Sequence, residues 1–271
     1  MIKYVGAQGE IYDFRTETVR ITKGDFHSFK WKTNVKKTNY GHTVDFEKEQ
    51  TIYTISINFR GNEIRKIEEM NEFIDILERD VENRTPATLW INGMHTKGFA
   101  ISCKSGPSED NETWSRIEFE FWSEDSVWIG EELFRYAKTS VKSTNNRRYP
   151  YKYANRYANG LNISHVINRH KKDANFLLRV YGPAQNPMVA IGERKYQVNV
   201  TLEEGELLEV NTVTRAVEKV SSKGIRENVF HYRAKRESVF NKIKPGTQNV
   251  SWPGLFDFDL IVYDERREPR W

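Results

Sequence analysis

One cysteine, Cys103, stands among 271 residues. No internal disulfide is therefore possible, and no metal site can be built on paired thiolates. Cys103 sits in the stretch Phe99-Ala100-Ile101-Ser102-Cys103, which reads as a strand, and the expectation is a small buried hydrophobe. Long apolar runs are missing too. None exceeds four residues, as in Leu260-Ile261-Val262-Tyr263, far below the ~20 that a membrane-spanning helix needs. The start, Met1-Ile2-Lys3-Tyr4, has no apolar stretch of the signal-peptide kind. The expectation is a soluble protein without a membrane anchor, made in a reducing cytoplasm.

Catalytic signatures are equally scarce. There is no glycine-rich phosphate loop, no Gly-x-Gly-x-x-Gly, no His-Glu-x-x-His and no Gly-x-Ser-x-Gly. His165 and His170 are five apart with no carboxylate between them, a spacing that places the rings on no common face for a metal. Paired acids occur at Glu131-Glu132, at Asp257 and Asp259, and at Glu203, Glu204 and Glu206. Two carboxylates are all that a glycosidase requires, but each set lies in a polar, turn-like or alternating context and reads as a solvated face. Neither catalytic, cofactor-binding nor metal-ligating residues are assigned, and the chain is expected not to be an enzyme. A one-signed charge stripe is absent as well. Lys and Arg number 42 and Asp and Glu 38, a net +4 with both signs interleaved, unlike a dedicated nucleic-acid binder. The local excess of Lys142, Arg147, Arg148, Arg169, Lys171 and Lys172 reads as solvated loop.

What is present points to a β-rich globular protein. Seven Trp, 13 Tyr and 15 Phe argue against disorder, which needs few large apolar side chains. Alternation marks strands at Tyr53-Thr54-Ile55-Ser56-Ile57-Asn58-Phe59, at Arg116-Ile117-Glu118-Phe119-Glu120-Phe121 and at Tyr196-Gln197-Val198-Asn199-Val200-Thr201-Leu202. Residues 176–181 and 256–263 read as strands, with turns at Gly192, Gly205 and Gly224 and a hairpin turn at Gly6 and Gly9. One segment has helical period. Over Glu63–Glu82 apolar residues recur at Ile64, Ile67, Met70, Ile74, Leu77 and Val81, a stripe expected to face the core, with Asn62 as N-cap and Pro86 as the stop. A second, short helix is expected over residues 130–138.

Composition shifts over residues 137–160, where Ser, Thr, Asn and Arg accumulate before the aromatic run Tyr149, Pro150, Tyr151, Tyr153 and Tyr157. The division is set there. Residues 1–145 form an α+β domain of a sheet with one long helix. Residues 146–271 form a second domain whose short, closely spaced strands indicate a β-sandwich.

Four stretches of the second half carry a family resemblance. They are Tyr149-Pro150-Tyr151-Lys152-Tyr153; Val180-Tyr181-Gly182-Pro183-Ala184-Gln185-Asn186-Pro187; residues 238–252, with Lys244-Pro245-Gly246 and Asn249-Val250-Ser251-Trp252; and Arg266-Arg267-Glu268-Pro269-Arg270-Trp271. In order and spacing over about 120 residues they resemble the distal tail proteins of long-tailed phages and prophages of Gram-positive bacteria. Lys152 and Asn155 depart from that pattern, standing where acidic or aromatic residues are expected. The resemblance implies an N-terminal ring-forming domain with a split-barrel-like sheet plus helix, followed by a galectin-like β-sandwich. It further implies a hexameric ring at the virion tail tip, joined to the tail tube protein and to a tail-tip hub protein of the tail-associated lysin type, with receptor-binding proteins as further partners. DNA passes through such a ring in transit, and no cofactor is involved. The alternative is a lectin-like module touching cell-wall saccharides through Trp252 or Trp271.

Overall fold

The computed structural model describes residues 1–38, 41–107, 114–138 and 162–271. These gather into two compact units, Met1–Gly130 with Glu265–Trp271, and Glu131–Asp264. These units meet at Gly130/Glu131 and the terminal segment joins the first; the boundary expected at 145/146 lies outside the described residues. Composition marks where a chain becomes polar, whereas the division follows backbone pairing.

The first unit contains β1 (Ile2–Val5), β2 (Ile11–Asp13), β3 (Val19–Gly24), β4 (Trp31–Thr38), β5 (Gly41–Lys48), β6 (Thr51–Arg60), α1 (Glu63–Glu82), β7 (Ala87–Ile91), β8 (Met94–Pro107) and β9 (Trp114–Ser123). An antiparallel sheet runs β3-β6-β9-β8-β7-β1-β2. Strand β8 changes partner along its length, and Gly98 pairs with both Ala87 of β7 and Ser123 of β9. A Cβ there would lie 2.0 Å from the Trp122 carbonyl oxygen, so only glycine permits the strands to approach.

Helix α1 covers this sheet, and Asn62 caps it by accepting from the Arg65 amide at 2.9 Å. Its buried face is Met70, Phe73, Ile76, Leu77 and Asp80. The expected stripe is corrected in part: Ile64, Ile67 and Val81 are exposed. Phe73 decides the rotation. Its ring lies within 4.8–6.2 Å of Tyr12, Tyr4, Phe119, Phe14 and Phe59, and burying that one ring removes more apolar surface than either terminal isoleucine would.

Strand β10 (Trp128–Tyr136) begins in the first unit and ends in the second. The short helix expected over 130–138 is therefore corrected to a strand. Ile129 and Gly130 pair with His95 and Met94 of β8, a ladder whose backbone groups a helix would leave without partners.

The second unit holds β11 (Asn162–Asn168), β12 (Phe176–Tyr181), β13 (Ala184–Gln185), β14 (Met188–Ile191), β15 (Arg194–Gln197), β16 (Thr201–Leu202), β17 (Leu207–Asn211), β18 (Ala216–Val220), β19 (Arg226–Asn228), β20 (Gly246–Trp252) and β21 (Phe258–Arg266). It is an antiparallel sandwich. One sheet runs β19-β18-β17-β12-β21 and the other β11-β20-β14-β15, around a core that includes Phe176, Leu178, Val250, Phe258 and Leu260. The single strand expected over 196–202 is broken in two. Val198 instead bridges to Arg233, and the Asn199 amide donates to the Tyr232 carbonyl. Gly192, Gly205 and Gly224 all have positive φ, as their turns require. Cys103 lies on β8 as expected but is exposed rather than buried.

The chain as described is mainly β, with one long helix. Truncating the keystone ring, Phe73→Ala, is expected to destabilise the first unit by about 3–5 kcal/mol, read as a lowered first transition in calorimetry. At Gly182 an added Cβ would meet the Glu203 carbonyl oxygen at 2.0 Å. Gly182→Ala is therefore expected to lower the second unit's transition by an amount on the order of 1–3 kcal/mol.

Candidate assembly interface

Among the described residues, strands β4 and β5 pair only with each other, through eight residue pairs from Trp31↔Lys48 to Thr38↔Gly41. Opposite residues share a face. One face carries Trp31, Thr33, Val35, Val44 and Phe46, flanked by Lys48 at the foot and by Lys37 and His42 near the tip, and the other carries Lys32, Asn34, Lys36, Thr43, Asp45 and Glu47. This is the alternation of a half-buried hairpin, yet every described β5 residue is exposed, and Val35 and Phe46 are both 59% exposed. Eight extended residues reach roughly 26 Å. A two-stranded hairpin with no cover is marginal in water, and an apolar face left open on one marks a contact surface.

The arm's foot is held firmly. The Glu49 amide donates to the Lys30 carbonyl at 3.4 Å, tying the ends of β4 and β5. Beyond it, the Thr51 amide donates to Ser126 Oγ at 2.8 Å, and the Ser126 amide donates to Ser123 Oγ at 3.1 Å. Ser126 is buried with φ of +50°, an unusual conformation for a residue with a side chain, and the bonds on both sides of it hold it there.

A second feature of the unit is acidic. Helix α1 has eight Asp and Glu against three Lys and Arg, while residues 30–48 have five Lys against two acids. Near the C-terminal end of α1, Asp80 is buried and accepts from the Tyr4 hydroxyl at 3.2 Å and the Ala7 amide at 3.0 Å. Arg79 bridges Asp80 at 2.9 Å and Glu10 at 2.5 Å. Burial and the Asp80 carboxylate push the Tyr4 hydroxyl well above its ordinary range, so it stays a donor. The Arg79 hydrogen bonds hold the Glu10 carboxyl below its usual value.

The residues singled out from the sequence fall in separate places. Tyr149, Pro150, Tyr151, Tyr153 and Lys152 lie outside the described residues. Gly182 and Pro183, joined by a cis peptide bond, and Asn186, with φ of +46°, shape the turn around β13; the Pro187 carbonyl accepts from the Val198 amide at 3.2 Å. Pro245 and Gly246 form the turn into β20, with Gly246 at φ of +84°. Pro269 is buried and Arg270 exposed in the terminal segment. Trp252 is 4% exposed and packs edge-on against Tyr136 and Phe258. It is a core residue, which corrects its candidacy as a sugar-stacking surface. Trp271 stacks on His27 with ring centroids 3.7 Å apart while remaining largely exposed.

The acid sets have structural partners. Glu132 pairs with Arg169, Glu206 with Lys219 at 2.7 Å, and Asp259 accepts from the Tyr181 hydroxyl at 3.0 Å. His170 faces Asp264 at 2.9 Å. Among the described residues no group of three His, Cys, Asp or Glu is placed to hold a metal, and no helix is long and apolar enough to cross a membrane.

No family model and no curated protein sequence matches the chain. Solved structures do. The Dit protein of phage SPP1, described as a paradigm of the hub adsorption apparatus in phages infecting Gram-positive bacteria, superposes with a TM-score of 0.60 at 10% identity, over 98% of this chain and 99% of that one. This chain has the Dit fold. A chain of the phage P2 baseplate, in its activated conformation with Ca, gives a TM-score of 0.62 at 11% identity, over 99% and 100% of the two chains. The corresponding baseplate with Sr gives 0.60 at 10%, with the same coverage. The likeness runs through both units of a Dit-like chain, so neither is an unrelated addition.

Sequence reasoning missed the β4–β5 arm. Val44-Asp45-Phe46-Glu47 signals a strand, but alternation cannot tell a covered face from an open one. One pH effect follows from the Arg79–Glu10 pair. Because the folded carboxyl titrates below its ordinary value of 4.5, its contribution is complete above that value and is lost as pH falls below it. The denaturant midpoint of the first unit is expected to fall on acidification below about pH 4.5, and less steeply in Glu10→Gln.

Proposed function

We propose that this chain is a structural component of a phage tail tip, a distal tail protein that closes into a ring of six. In this reading the ring joins the tail tube to the tail-tip hub protein, carries receptor-binding proteins at its periphery and lets DNA pass through its centre. The observation that carries it is the β4–β5 arm, a paired hairpin with an apolar face that the described residues leave uncovered. The occupant is a second copy of this chain. The arm is basic and the α1 face acidic, so the unit presents surfaces of opposite sign, as head-to-tail association requires. Heterologous contacts of this kind close into rings when the rotation between neighbours allows it. The likeness to the SPP1 Dit protein and the P2 baseplate chain supports the same setting.

The test is absolute mass by light scattering over a concentration series, with negative-stain images of the large fraction. A species near six or twelve times 31.9 kDa, seen as rings with a central hole, is expected. The double variant Val44→Asp/Phe46→Asp should remain folded by circular dichroism and lose the large species. A monomer at every concentration, or rings that survive the double variant, would overturn the arm-closed ring.

A further inference from the structure

We propose that the terminal segment Glu265–Trp271 is an intramolecular strap that sets the arm in its assembly-ready direction, with Arg267 as the lock. The inference rests on the ring reading for its purpose, though its geometry stands alone. Arg267 directs three hydrogen bonds at backbone carbonyls. Nη1 donates to Ser126 at 2.7 Å, and Nη2 donates to Lys30 at 3.1 Å and to Glu49 at 2.9 Å. Lys30 is the residue before β4 and Glu49 the residue after β5. One guanidinium therefore grips both legs of the arm at its foot and ties them to Ser126, whose own hydroxyl already holds Thr51. The Arg267 guanidinium also lies over the first arm residue, Trp31, 5.6 Å from the ring centre.

The rest of the segment pins the strap to the first unit. Pro269 is buried, Asn92 Nδ2 donates to the Arg270 carbonyl at 3.1 Å, and Trp271 stacks on His27 four residues before β4. Trp271 keeps 92% of its surface exposed, so that stack contributes little burial and the lock is assigned to Arg267. The chemistry suits arginine. Its planar fork offers five donors in fixed directions and stays charged, whereas lysine offers a compact point charge. Three carbonyls arranged around one cation would otherwise turn their negative ends toward each other. The strap continues directly from β21, a core strand of the second unit, so the arm's foot is held by the far end of the sequence.

Hydrogen–deuterium exchange on the full chain tests the strap apart from the ring. In Arg267→Ala, amides of residues 31–38 and 41–48 should exchange about tenfold faster, the loss expected when charge-assisted bonds at a foot are removed. Peptides from α1, β12 and β17 should be unchanged, and Arg267→Lys should fall between. The yield of the large species by light scattering should drop in the same order. Unchanged arm exchange in Arg267→Ala overturns the strap whatever the oligomeric state. Acceleration spread equally over α1 and the sandwich overturns it too, since the residue would then serve global stability. Faster arm exchange with undiminished assembly overturns the link to assembly. Should the parent chain itself prove monomeric, the ring reading fails while the exchange comparison still decides the strap.

Discussion

The first unit depends on one aromatic side chain. Phe73 enters the sheet from α1 with no exposed surface and meets five rings drawn from β1, β2, β6, β9 and the residue after β2. Because protein interiors are packed to the density of organic crystals, such a ring fixes both the rotation of the helix and its height above the sheet. The position of Asp80 follows. Seven residues on from Phe73, it comes round to the same face two turns later and is carried to the sheet-facing side of the helix, where Tyr4 and Ala7 satisfy it.

Against that satisfied interior, the β4–β5 arm is an imbalance. Its backbone is paired and its foot is anchored, but its apolar residues face water. A fold consistent at every level would cover or shorten such a hairpin, and in the proposed ring the arm's surplus is the surface that another copy would cover. The rigidity of the foot matters for the same reason. An arm that swings freely pays ordering entropy on association, and one already directed does not.

The regular elements were largely legible in the sequence. Helix α1 occupies the span its spacing and Asn62 cap predict, because capping and period are local properties. Strands β6, β9 and β12 cover the segments whose alternation or apolar runs announce them. The failures share a cause. Residues 130–138 are rich in helix formers but lie where β8 offers partners, and tertiary pairing overrode propensity. Trp252 was a saccharide contact only in the alternative reading, and the sandwich buries it against Tyr136 and Phe258, as a tryptophan that plugs a domain's end. Of the site, the arm and the strap were invisible as such. Arg267 was quoted only within a terminal motif, and nothing local relates it to Lys30 or Glu49, more than 200 positions away.

What the sequence determined by itself is what short-range physics controls: β-rich character, one capped helix, the glycine turns and the lack of disulfide or phosphate-loop chemistry. What only the tertiary structure decided is which faces are covered. It turned α1 on Phe73, buried Trp252, exposed Cys103, left the arm's apolar face open and brought the chain's last residues to the arm's foot. Burial is a property of neighbours far apart in the chain, and no periodicity in a single strand specifies whether a neighbour is there.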